Sequence, residues 1–83
     1  MIIEAYTLPG CSSCGQLKKL FDRASVEYKE VMLRRDMTVD EFSSYFPGIT
    51  SFPFVVIDGE KIGGLVETAK LFVSKGLVSS KKQ

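Results

Sequence analysis

Eighty-three residues, 45% of them hydrophobic and 25% charged, are expected to form one domain spanning 1–83 around a single modest core. Eleven basic residues against ten acidic ones leave a net charge of +1, which makes nucleic acid a poor partner. No apolar run approaches the roughly 20 residues of a membrane span, and the chain has no histidine, which excludes a histidine base and any His-containing zinc site.

Met1-Ile2-Ile3-Glu4 has neither the basic region nor the long apolar region of a secretory signal, so a cytoplasmic location is expected. Ile2, Ile3, Ala5, Tyr6 and Leu8 form a short apolar run stopped by Pro9-Gly10, which reads as a strand buried on both faces. From Cys11 the period changes. Leu17, Leu20, Phe21 and Ala24 fall at i, i+3, i+4 and i+7, one face of a helix, with Lys18, Lys19, Asp22 and Arg23 opposite. Val26 to Leu33, β-branched and aromatic with partial alternation, reads as a second strand parallel to the first, completing a βαβ unit. Arg34 to Met37 is a connection. Thr38 and Glu41 make a capping box for a short helix with Val39, Phe42 and Phe46 on one face, ended by Pro47-Gly48. Phe52 to Ile57 is an apolar run with a proline near its start, where a strand tolerates one. Asp58-Gly59 is a two-residue hairpin signal, and Glu60-Lys61-Ile62 should return antiparallel until Gly63-Gly64. Leu65, Ala69, Phe72 and Val73 mark a last helix, with Lys75 suited to its final turn and Gly76 to a left-handed cap. Lys81-Lys82 reads as a solvated tail. The order β-α-β-α-β-β-α predicts one mixed four-stranded sheet with three helices on its two faces.

The chemistry concentrates in Pro9-Gly10-Cys11-Ser12-Ser13-Cys14, which holds the only two cysteines. Three readings compete. Half a zinc site lacks its remaining ligands, since no further cysteine or histidine exists. Two inert buried cysteines are the second. The third is a redox pair, which C-x-x-C at a strand end in a βαβ unit favours. Cys11 would then sit where helix N–H groups lack partners, and those donors and the helix dipole favour a thiolate below the free value of about 8.5. Cys14, one turn inside, should be more buried. Pro53 can be cis or trans on sequence grounds alone. Gly63-Gly64 fits a simple turn as well as a helix-start anion site.

In combination and order, Cys11-Ser12-Ser13-Cys14, Ser51-Phe52-Pro53 and Ile57-Asp58-Gly59 leading to Ile62-Gly63-Gly64 resemble a glutaredoxin of the thioredoxin superfamily, from about Ile2 to Val78. The length and the Phe46-Pro47-Gly48-Ile49 approach to Pro53 are most similar to small phage-type dithiol glutaredoxins. The resemblance implies a thioredoxin fold, a cis Pro53, Cys11 as nucleophile, Cys14 as resolving thiol, and a monomer. It implies a glutathione site at Ser51, Phe52, Pro53, Gly64, Leu65 and Val66, no metal site and no tightly bound cofactor. Glutathione would be the reductant and protein disulfides the substrates, with ribonucleotide reductase as one. Neither nucleic acid nor membrane is an expected partner. Three departures stand out. The family's usual Cys-Pro-Tyr-Cys is Cys-Ser-Ser-Cys here. Leu8 stands where the family often has a lysine three residues before the first cysteine. Leu65 and Val66 follow the double glycine, where acidic or hydroxyl residues are common, with Glu67 and Thr68 just beyond. Two alternatives follow: a redoxin reduced by thioredoxin reductase, kept open by Leu8, Leu65 and Val66, and a glutathione-dependent [2Fe–2S] dimer, which the absence of a proline after Cys11 resembles.

Overall fold

Alternation along two central strands divides the protein into two cores. The structure, a computed structural model, describes residues 1–78; the Lys81-Lys82 end lies outside them. The elements are β1 (Ile3–Thr7), α1 (Ser12–Ala24), β2 (Lys29–Met32), α2 (Val39–Tyr45), β3 (Phe54–Ile57), β4 (Glu60–Gly63) and α3 (Leu65–Ser74), in the expected order. The sheet runs β2-β1-β3-β4. β1 is parallel to β2, with Tyr6 opposite Val31, and antiparallel to β3, with Tyr6 opposite Phe54. The β3–β4 hairpin turns through Asp58 and Gly59, both left-handed at φ 52 and 80, the pairing that a tight two-residue hairpin requires.

Because successive strand residues point to opposite faces, Ile3, Ala5, Val55 and Ile57 meet Leu17, Leu20 and Phe21 of α1 and Phe72 of α3 on one side. Tyr6, Phe54 and Val56 meet Leu33 and Phe42 of α2 on the other. The arrangement is the thioredoxin-like fold anticipated from the element order.

The departures are local and have identifiable causes. The second strand begins at Lys29 rather than Val26. Helix α1 ends at Ser25 in the left-handed region (φ 54), and the Val26 N–H closes that end by donating to the Phe21 carbonyl at 3.3 Å. The chain reaches the sheet edge only after Val26 and Tyr28 have packed on the first core. Leu8 and Phe52 lie outside the strands assigned to them and pack on the second core instead. The β3 ladder starts at Phe54, after the donor-less Pro53. In α2 the capping box forms as expected: Glu41 N–H donates to Thr38 Oγ1 at 3.0 Å and Thr38 N–H to Glu41 Oε1 at 2.9 Å. Val39, at the first helical position, is exposed; Met37 before the cap and Phe42 after it bury themselves in the same cluster. On α3 the inward face is Leu65, Thr68, Ala69 and Phe72 rather than one including Val73. Thr68, which the apolar pattern skipped, is fully buried and donates from Oγ1 to the Gly64 carbonyl at 2.8 Å. Lys75 caps α3 just past its last turn, and Gly76 takes the left-handed conformation (φ 75).

Candidate active site

β1 delivers the chain to the top of the sheet, and Pro9-Gly10 turns it into α1. Gly10 adopts φ 76, which a side chain would oppose. Cys11 follows as the N-cap in extended geometry, and its Sγ accepts the Cys14 N–H at 3.1 Å. The first sulfur therefore occupies the place of a capping oxygen, where unpaired N–H groups and the helix dipole favour negative charge. Cys14 lies one turn inside and is buried at 4% exposure, while Cys11 is half-buried. The two sulfurs are bonded, with Cα atoms 5.3 Å apart.

Facing Cys11 is the segment before β3. The Phe52–Pro53 peptide is cis, and the Phe52 carbonyl oxygen lies 3.9 Å from Cys11 Sγ. Next to it is the start of α3. A side chain at Gly64 would come within 3.3 Å of the Pro53 carbonyl oxygen, so the absence of one lets the two segments abut. Ser51, Pro53, Gly63, Gly64 and Glu67 line a cleft of about 250 Å³ between them.

Of the eight residues singled out from the sequence, Cys11, Cys14, Phe52 and Pro53 come together, with Ser51 and Gly64 in the adjoining cleft. Leu65 and Val66 contribute no side chain to that cleft. Leu65 lines a groove between α1 and α3 with Gln16, Lys19 and Arg23, and Val66 is exposed on the outer face of α3. Their place at the helix start leaves their N–H groups without intrahelical partners. Gly64 differs: its N–H is not open, because it donates to Glu67 Oε1 at 3.0 Å.

Glu67 is thus a site residue that the sequence reading passed over. Its signal was positional: an acidic residue three places after a helix cap reaches back to the cap amide. A second omission lies on the opposite side of the pair. Thr7, Lys18 and Glu30 line a cleft of about 290 Å³ that also touches Cys11 and Cys14. Thr7 Oγ1 donates to Glu30 Oε2 at 2.9 Å, and Lys18 Nζ lies 3.0 Å from the same oxygen. Burial raises the Glu30 carboxyl, but the hydrogen bonds from Lys18 and Thr7 outweigh it and hold it below its ordinary value. Lys18 sits four residues after Cys14 on a helix whose polar face otherwise reads as solvated, so only the placement of β2 reveals the cluster.

With this geometry established, comparison with known proteins defines the class. The glutaredoxin family model matches residues 3–62, most of the chain, and the protein belongs to the glutaredoxin family. A search of curated protein sequences finds no match. Among solved structures, the chain is similar to glutaredoxin 1 from Francisella tularensis complexed with cacodylate, at 26% identity and TM-score 0.73, covering 92% of this chain and 95% of that one. It is similar to a thioredoxin-like protein at 31% identity and TM-score 0.67, covering 92% and 99% of the two chains. A buckwheat glutaredoxin–glutathione complex shares the fold at 24% identity and TM-score 0.76, over 90% of this chain and 71% of that one. The family is one of thiol-disulfide oxidoreductases, and the Cys11-Cys14 pair is consistent with dithiol redox chemistry.

Proposed function

We propose that this protein is a cytoplasmic, monomeric dithiol glutaredoxin of the small phage-like type, reducing protein and glutathione mixed disulfides with glutathione as its electron source. The observation that carries this reading is the meeting of three elements at one point: the α1 N-terminus with Cys11, the Phe52–Pro53 segment 3.9 Å away, and the α3 N-terminus beside it. An extended peptide disulfide lying against Phe52 has its sulfur at Cys11. A γ-glutamyl end carries both an α-carboxylate and an α-ammonium. The N–H groups of Leu65 and Val66 suit the first, and the Glu67 carboxylate suits the second. The buckwheat protein is a glutaredoxin–glutathione complex of the same fold, which supports this reading.

The exchange follows from the two sulfurs. Cys11 thiolate attacks the substrate disulfide, a new sulfur–sulfur bond forms, and the first thiolate leaves. Cys14, deprotonated, attacks Cys11 Sγ, releases the second thiolate and closes the internal disulfide. Two glutathione thiols reopen it and depart as oxidised glutathione. Disulfides of enzymes such as ribonucleotide reductase are substrates of the kind this chemistry serves.

A second reading rests on Leu8, uncharged where a cation would pair with glutathione, and on the 31% identity to a thioredoxin-like protein: regeneration by thioredoxin reductase. One assay separates the two. NADPH consumption with a small mixed disulfide is coupled either to glutathione and glutathione reductase or to thioredoxin reductase alone. Turnover with glutathione only is the expected result; turnover with thioredoxin reductase only replaces the proposal by the second reading. Within that assay, Cys14→Ser keeps the reduction of glutathione mixed disulfides and loses that of protein disulfides. Cys11→Ser loses both.

A further inference from the structure

We propose that Lys18 and Glu30 are positioning residues of the exchange reaction, an ion pair lining one cleft with Cys11 and Cys14 that fixes how readily the thiols ionise. The usual cation before the pair is absent, since position 8 is leucine. A cation is nonetheless present on the same side, supplied by α1. Lys18, Glu30, Thr7 and Leu8 line one cleft with Cys11 and Cys14, and the other residues of that lining carry no charge. Lys18 does not stand alone: Glu30 Oε2 holds it at 3.0 Å while also accepting the Thr7 hydroxyl at 2.9 Å. Lys18 is partly exposed and Glu30 more sheltered, at 40% and 20%, so the pair is screened less than the Arg35–Asp36 pair at 57% and 38%.

The charged groups around the sulfurs are few. Lys18 and Glu30 lie on the cleft side, with Arg35 acting on Glu30 from the connection after β2. Glu67 lies across the site on α3, and the Ser51-Phe52-Pro53 segment is neutral. A lysine alone would favour the thiolates; a glutamate alone would oppose them. Paired, they nearly cancel, and the α1 N-terminus is left as the main influence on Cys11. The pair then acts as a setting: removing either member moves the thiols in a predictable and opposite direction.

The inference rests on the exchange chemistry of the pair and not on the identity of the reductant. Its test uses no glutathione, so its failure is distinct from failure of the proposed electron source. The reduced protein is titrated by thiolate absorbance, with the rate of alkylation of Cys11 followed in parallel. Lys18→Gln leaves Glu30 uncompensated and should raise the thiolate midpoint by roughly half a pKa unit to one unit. Glu30→Gln leaves Lys18 uncompensated and should lower it by a similar amount. The double variant should return close to the parent. A purely structural role predicts singles that shift together, and a double at least as perturbed as either. Shifts of the same sign, or none, overturn the proposal. Lys18 is partly exposed, so its substitution is expected to leave the fold intact, and the absence of an upward shift in that variant alone is decisive against it.

Discussion

The two faces of the sheet serve the site by different means. On the α1/α3 face the core is mainly aliphatic, built from Ile3, Leu17, Leu20, Val55 and Ile57 around Phe21 and Phe72, and it fixes two helices, one capped by Cys11 and the other starting beside Pro53. On the α2 face the core is aromatic: Tyr6, Phe42, Phe46, Phe52 and Phe54 stack at centroid distances of 5.0 to 6.3 Å. That cluster supports a loop as well as helix α2, because Phe52 belongs both to it and to the segment facing Cys11. Helices carry their own hydrogen bonds and need only a face to rest on. A segment outside the ladder needs large rigid side chains to hold its backbone in place.

The largest test sets Phe42 against Phe72. Each is fully buried, so either alanine substitution should destabilise by about 3–5 kcal/mol in urea unfolding. Their effects on catalysis should part. Phe42 touches Phe52 at 5.0 Å, whereas Phe72 meets Phe21 at 5.8 Å, within the other core. Corrected for the fraction folded, disulfide exchange should slow in Phe42→Ala and stay unchanged in Phe72→Ala. Equal corrected rates would show that the aromatic core does not hold the Phe52 segment.

Helix caps sharpen the contrast at smaller scale. Thr38→Ala removes a hydroxyl that accepts the Glu41 N–H, and should cost about 1 kcal/mol with little change in exchange rate. Cys11 caps α1 in the same geometry with a sulfur. In the reduced protein, Cys11→Ala should therefore cost a similar amount, while Cys11→Ser retains a capping oxygen and keeps stability as it abolishes exchange. A loss of stability in Cys11→Ser equal to that in Cys11→Ala would mean that the sulfur does not act as a cap.

Much of this was legible in the residues, and the failures have a common cause. Local rules identified every element, because each depends on neighbours in the chain: the 3.6-residue period of Leu17-Phe21-Ala24, the Thr38–Glu41 box, and the left-handed demand of Asp58-Gly59. The pair at Cys11 and Cys14 was visible because the chain offers no further cysteine and no histidine to compete for its meaning. The sequence did not reveal where different elements place polar groups together. Glu30 reads as one member of an irregular strand until β2 is set beside β1 and the Thr7 hydroxyl, two places along from its partner Ala5, reaches its carboxylate. Thr68 is a polar residue on an apolar face until its hydroxyl finds the Gly64 carbonyl. Glu67 was assigned no role because apolar Leu65 and Val66 hold the two places directly after the glycines. Long-range juxtaposition, not periodicity, decides such residues.

The smallest expected effect concerns acid stability and again separates the faces. Arg35 beside Asp36, with a hydrogen bond from the Met32 N–H, holds the Asp36 carboxyl down at about 2. It ties the turn that leads from β2 into α2. Glu30, also held low, ties β1 and β2 to α1. In both, the folded state favours the charged form. The stabilisation is complete above the unfolded carboxylate range of about 4 and is lost as pH falls through the folded value. For Asp36 that loss should run from about pH 4 toward 2. Asp36→Asn should flatten that stretch of the stability–pH curve. Glu30→Gln should flatten the curve just below its own ordinary range and leave the lowest stretch intact. Because the Arg35–Asp36 pair is the more exposed of the two, its share should shrink at high salt, while that of the more sheltered Glu30 persists. Unfolding midpoints across that pH range at two salt concentrations would distinguish them, and an equal salt response would place both carboxylates on the same solvated footing.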